Sequence, residues 1–184
     1  EVPWDKNDLG KPFIQQVLDA NCTSCHDGGP TDPFAGKQYS VTRTDPVSGQ
    51  QTTYTIPYLK LTSDPVTVYY DRAVHTWPVS YVSLFYPSAM MMDMGTEKIT
   101  GDVPPMWMVP ANARGSALIQ KLNVKANDGT TAWATGLHDV EKGKPLSNDQ
   151  RKMLILAADL GGQFYARQNT GFQSTVSDPV AGSK

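Results

Sequence analysis

Two cysteines and a histidine stand together at residues 22–26, Cys22–Thr23–Ser24–Cys25–His26, and the chain contains no other cysteine. No other feature constrains the fold as much, because each chemistry open to a Cys-x-x-Cys pair demands a different setting. A redox dithiol of the thioredoxin type opens a helix just after a strand, inside a βαβ unit. Here Phe13, Ile14, Val17 and Leu18 form an apolar stripe at helical spacing that runs into Cys22. The spacing therefore predicts a helix over Lys11–Cys22, with Pro12 in its first turn, and this helix precedes the motif. A structural zinc site needs four ligands, usually as two spaced pairs. The two histidines outside the motif, His75 and His138, are single and far apart. A Cys22–Cys25 disulfide would close too small a loop to stabilise much.

The remaining reading uses all three residues. Cys-x-x-Cys-His is the attachment signature of c-type haem. Residues three apart lie on one face of a helical turn, so both sulfurs can form thioethers along one porphyrin edge. His26 then becomes the proximal iron ligand. One covalent haem c is the expected cofactor, bound by Cys22, Cys25 and His26, with neither a disulfide nor a free thiol left over. Thioether attachment is made where haem is delivered outside the cytoplasm, so a periplasmic or extracellular location is expected. The first residue, Glu1, fits a mature chain whose signal peptide has been removed.

At 184 residues the chain fits one domain that can bury a core without disulfides. Its 15 Gly and 14 Pro imply compact elements joined by long irregular connections. The net charge of −2 is mixed along the sequence, and no Lys/Arg block is interleaved with aromatics, which argues against a nucleic-acid partner. The longest apolar run, "MLILAADL" at 153–160, is too short to cross a bilayer, so no transmembrane segment is expected.

Residues 27–36 read as loop. Two Thr-, Tyr-, Val- and Ile-rich runs within 37–62 flank "DPVSG" and predict a β-hairpin. The aromatic stretch 66–89 predicts a short strand and then a helical turn around Ser80–Phe85, and the Met- and Pro-rich stretch 90–110 reads as an ordered loop. Ser116–Leu122 reads as a short helix. Ser147 with Gln150 forms a capping box ahead of the stripe Met153, Leu156, Ala157 and Leu160, and Gly161 stops that helix. The expected fold is mainly α: a cytochrome c-like helical core around one haem, its N- and C-terminal helices crossing beside it. It forms a single domain over 1–165, with a β-hairpin-containing insertion at about 37–110 and long loops. Residues 166–184 form a polar tail, expected to be disordered.

The distal iron ligand is open on the residues alone. His138 sits in "TGLHDVEKGKPLSNDQ", a few residues before the Ser147 cap, where small monohaem cytochromes place this ligand. A methionine group competes: Met90, Met91, Met92, Met94, Met106 and Met108, the last two in "PPMWMVP". Two histidines give a lower potential and His/Met a higher one. Position favours His138. Clustered methionines also serve as adaptable packing, and His75, beside Trp77 and Tyr81, also reads as a structural residue.

"CTSCH", "SYVSL" (80–84), "ARGSALIQKL" (113–122) and "GLHDVEKGKPLSNDQRKMLILAADLGGQFY" (136–165) occur in that order. Together they resemble the haem c domains of the hydrazine synthase alpha-subunit type, over about two-thirds of the chain in separated patches. The resemblance implies that His138 is the distal ligand and the haem bis-His. It does not extend to hydrazine synthesis, because only one CxxCH is present and the stretch 37–72 has no counterpart in a minimal cytochrome c. The function expected is single-electron transfer between redox partner proteins by a six-coordinate haem, a carrier rather than an enzyme. Two alternatives stand beside it: a haem subunit of a larger oxidoreductase, and an assembly module, homo- or hetero-oligomeric, docking through the edge of the 37–62 hairpin.

Overall fold

The computed structural model describes residues 4, 13–45, 47–70, 73–92, 97–123 and 138–162. Helix α1 (Ile14–Asn21) is followed by strands β1 (Gln38–Thr44), β2 (Gln51–Pro57), β3 (Pro65–Tyr70) and β4 (Ala73–Pro78). Helix α2 (Val79–Met92) and strand β5 (Glu97–Gly101) come next, then helices α3 (Ala117–Asn123), α4 (His138–Glu141) and α5 (Asn148–Asp159).

A mainly α, cytochrome c-like core does not describe this molecule. Among the described residues five helices stand beside two antiparallel sheets, and the fold is mixed α/β. The first sheet has the order β2-β1-β5 and the second pairs β3 with β4. The hairpin of β1 and β2 forms over the stretch that predicted it, pairing Val41 with Tyr54 and Thr44 with Gln51. Hydroxyls of facing residues join across the strands, Thr42 to Thr53 at 2.8 Å and Ser40 to Thr55 at 3.2 Å. Tyr39 and Val41 of β1 and Ile56 of β2 are buried with Val68 and Trp77 of the second sheet.

Helix α2 makes these sheets part of the body rather than an appendage. Its Val82 and Tyr86 pack into the sheet cluster, while Leu84 and Phe85 pack into the larger cluster with Ile14, Leu18 and Leu154. Every described side chain from Val79 to Ser88 except Tyr81 is buried. A helix buried on nearly all sides has no polar stripe, and periodicity is then silent about its length. A buried chain of polar groups fixes its start. The Trp4 indole donates to Ser80 Oγ at 3.1 Å, and Ser80 Oγ donates to Gln15 Oε1 at 2.5 Å. Gln15 Nε2 in turn donates to the carbonyl of Leu61 at 3.0 Å.

Helix α1 contacts α5. The capping box of α5 is formed on both sides: Ser147 Oγ accepts from Gln150 N–H at 3.2 Å, and Gln150 Oε1 accepts from Ser147 N–H at 2.8 Å. Gly161 follows the helix at φ +86°, a conformation glycine adopts without strain. No helix among the described residues is long and apolar enough to cross a membrane. The tail 166–184 and Met94 lie outside the described residues.

Candidate functional site

Helix α1 delivers the cysteine motif. Cys22 N–H still bonds back to Leu18 at 2.7 Å, and then the chain tightens: Cys25 N–H and His26 N–H both donate to the Cys22 carbonyl at 3.0 Å. One turn therefore carries both sulfurs and the imidazole. His26 is buried, Cys22 half-buried and Cys25 exposed. The His26 carbonyl accepts from Leu61 N–H at 2.8 Å, which ties the end of the motif to the chain leaving the first sheet.

Cys22, Cys25 and His26 line a cavity of about 810 Å³. Phe34, Leu59, Trp107, Leu118, Leu122 and Leu146 give it a mainly apolar wall, and Lys121, Lys142 and Lys144 bring positive charge to it. The far wall is α4, whose first residue is His138. Asp139 anchors that short helix from inside the protein. Its Oδ2 accepts from Leu146 N–H at 2.7 Å and from Arg151 Nη2 at 2.5 Å, and Arg151 Nη1 also donates to the Leu122 carbonyl. The rings of His26 and His138 thus come to 6.2 Å between centroids, tilted 39° to each other.

These residues can be tested for their fit to the cofactor the motif implies. A metal–imidazole bond is about 2.0–2.1 Å long. Adding about 1.2 Å from each nitrogen to its ring centre, two imidazoles that share one ion stand about 6.4–6.6 Å apart. The observed 6.2 Å lies slightly below that span. Among the described residues no three His, Cys, Asp or Glu side chains gather to hold a bare ion. Two imidazoles are a complete protein ligand set where a macrocycle supplies the other four donors. Two cysteines on the rim, two facing histidines and apolar walls fit a covalent haem.

Burial lowers the proton affinity of His26 below the ordinary histidine value; His138 adds to this and Asp32 opposes it. His138 is lowered too, by burial first and then by Lys121 and Lys142, against Asp139 and Glu141. Both therefore favour the neutral imidazole that a metal requires. Burial, with Asp139 and Cys25 adding to it, pushes the Cys22 thiol up to about 12. A thiol that opens disulfide exchange needs the opposite shift, so Cys22 is poorly suited to that role.

The other distal candidates lie elsewhere. Met108 is fully buried in the large core cluster, its N–H donating to the Leu84 carbonyl at 3.0 Å, and Met106 is exposed; neither lines the cavity. His75 stacks on Trp77 at 4.4 Å, on β4. Two residues at the site carry no signal of their own in the sequence. Phe34 stacks on His26 at 5.8 Å with an 18° interplanar angle. Asp32 places Oδ1 3.8 Å from His26 Nδ1. A carboxylate six residues after a histidine, across "DGGPT", has no helical or strand period to mark it. No protein-family model, no curated protein and no solved structure matches this chain.

Proposed function

We propose that this chain is a monohaem c-type electron-transfer protein working in the periplasm or outside the cell. The observation that carries the reading is the facing pair His26 and His138 at 6.2 Å, across a cavity rimmed by Cys22 and Cys25. In this reading Cys22 and Cys25 supply the thioethers, His26 the proximal and His138 the distal nitrogen. Bound there, the haem supplies reversible one-electron exchange. Phe34, Trp107 and the leucines keep water from the site, which strengthens every charge effect inside it. Lys121, Lys142 and Lys144 offset the negative charge of the carboxylates that such a group carries. Two protein ligands leave no open position for a substrate, so the residues act by holding and tuning, and the partners are redox proteins.

The test is production in a host that attaches haem c. Expected are covalent haem on a denaturing gel, a low-spin spectrum without the far-red band of Met–sulfur ligation, and a reduced spectrum unmoved by carbon monoxide. His138→Ala should turn the spectrum high-spin. An unaltered His138→Ala spectrum sinks the ligand assignment, a prompt carbon monoxide shift in the unsubstituted protein sinks the carrier role, and absence of covalent haem sinks the whole reading.

A further inference from the structure

Asp32 is the buried charge next to the site for which the reading above has no use. Its side chain is 2% exposed. The turn after the motif is built around its carboxylate: Oδ2 accepts from Gly28 N–H at 2.9 Å, and Oδ1 accepts from Phe34 N–H at 2.7 Å. Gly28 reaches this position at φ +77°. There a Cβ would also come within 3.0 Å of the Lys60 side chain, so glycine is required for the chain to fold back on the acid. Asp32 N–H donates to the Gly29 carbonyl at 3.0 Å and Ala35 N–H to the Asp32 carbonyl at 2.9 Å, closing the loop on both sides. The effect is to hold one carboxylate oxygen 3.8 Å from His26 Nδ1. That nitrogen is buried and has no hydrogen-bond partner among the described residues.

A separation of 3.8 Å is an ion-contact distance rather than a hydrogen bond. Its consequence is electrostatic. A lone pair on Nδ1 would face a fixed carboxylate oxygen at close range, whereas an N–H there is attracted to it. The proton of neutral His26 is therefore held on Nδ1, and the lone pair is left on Nε2 for a metal. Partners of this kind orient a ligating histidine and raise its basicity. A buried anion beside the ligand also stabilises the more positively charged oxidation state of an iron bound to it.

We propose that Asp32 is a positioning residue for His26, selecting its Nδ1–H tautomer and holding the reduction potential of the site down. This rests on the haem c reading above. Two backbone amides already occupy the carboxylate, so the competing role is a purely structural turn cap, and the test must separate the two.

The haem-loaded full chain is compared with Asp32→Asn, Asp32→Glu and a control, Asp27→Asn. Asp27 is an exposed acid in the same turn, bonded to Gly29 N–H at 2.8 Å. Asp32→Asn should raise the potential by at least the equivalent of a tenfold change in the ratio of ferric to ferrous stability, about 59 mV for one electron. Asp32→Glu should recover most of that shift, and Asp27→Asn should move the potential far less because its charge is screened by water. Equal shifts in Asp32→Asn and Asp27→Asn, or none in Asp32→Asn, overturn the proposal. If Asp32→Asn fails to fold, Asp32→Ser decides, since its hydroxyl can still cap the turn: a potential raised by that amount supports the assignment, and an unmoved one overturns it. Absence of covalent haem in every sample defeats the functional reading, whereas attached haem with an unmoved potential defeats this inference alone.

Discussion

The sheet half and the cavity half of this molecule are built by different means. Around β1, β2 and β5 the backbone is paired residue by residue, hydroxyls join across the strands, and Tyr39, Val41 and Ile56 close a core of their own. Around His26 and His138 the chain runs through turns and short helices, and the side chains line an open cavity. Three buried side-chain polar atoms lack a partner among the described residues, and two of them, His26 Nδ1 and Asp139 Oδ1, belong to cavity residues. Native interiors pair such groups almost without exception. Two such atoms at one cavity, against Tyr39 Oη alone in the sheet half, make the cavity the less complete of the two as a folded object.

The strongest way to break this contrast is to remove the attachment point. Replacing Cys22 and Cys25 together by Ala should abolish covalent haem altogether, read as loss of haem staining on a denaturing gel. Amide exchange should then quicken in α3 and α4, which wall the cavity, and stay slow in β1. If β1 loosens to the same degree, the two halves are one cooperative unit and the contrast is wrong.

The reverse experiment damages the sheet half. Ile56 is 0% exposed, and Ile56→Ala should cost about 2–5 kcal/mol in urea unfolding. The absorption spectrum of the haem-loaded variant should not move, because Ile56 belongs to the sheet cluster and does not line the cavity. A spectral shift there would mean that α2, which packs into both clusters, transmits strain between them.

How legible these halves are in the sequence follows from how local their signals are. The CxxCH motif, the β1–β2 hairpin around "DPVSG" and the capping box of α5 can each be read within a few residues, and the structure contains the turn, the hairpin and the box. The second sheet and β5 cannot be read that way. Strand β5, "EKITG", pairs with β1 across more than fifty intervening residues, and nothing local distinguishes it from the loop expected there. The mainly α expectation fails at these elements, because a short local motif says nothing of what surrounds it. The pairing of His26 with His138 lies between these cases. Position in the chain favours it, but only the packing of α4 against the cavity brings the two rings within 6.2 Å of each other. Asp32 is invisible without the fold, since its role depends on Gly28 turning the backbone back toward His26.

A smaller effect should come from the cap that orients the cavity's last wall. Ser147→Ala removes the acceptor for Gln150 N–H and should cost about 1 kcal/mol in urea unfolding. The loss falls on the first turn of α5, next to Leu146 and the Asp139–Arg151 pair. Exchange should therefore rise in α4 before it rises in the sheet. An effect confined to α5 would show that α4 is held by Asp139 alone.

The smallest effect belongs to the turn of the β1–β2 hairpin, and it concerns pH. Asp45 Oδ1 accepts from Ser48 N–H at 2.7 Å, Val47 N–H at 2.9 Å and Ser48 Oγ at 3.0 Å. These bonds, those to Ser48 and Val47 backbone first, hold its carboxyl below the ordinary value of 3.8. A folded-state value below the unfolded one means that the unfolded chain binds the proton more readily. The contribution of the charged form is thus fully present above pH 3.8 and is lost as pH falls through the lower, folded value. Asp45→Asn keeps an acceptor but removes the charge. Its urea midpoint should fall slightly below that of the unsubstituted protein at neutral pH, and the gap should close on acidification below pH 3.8. Because the turn is exposed and remote from the cavity, the absorption spectrum should be the same for both proteins throughout the titration. A gap that instead widens with acid would place the effect outside this carboxylate and remove the turn as its source.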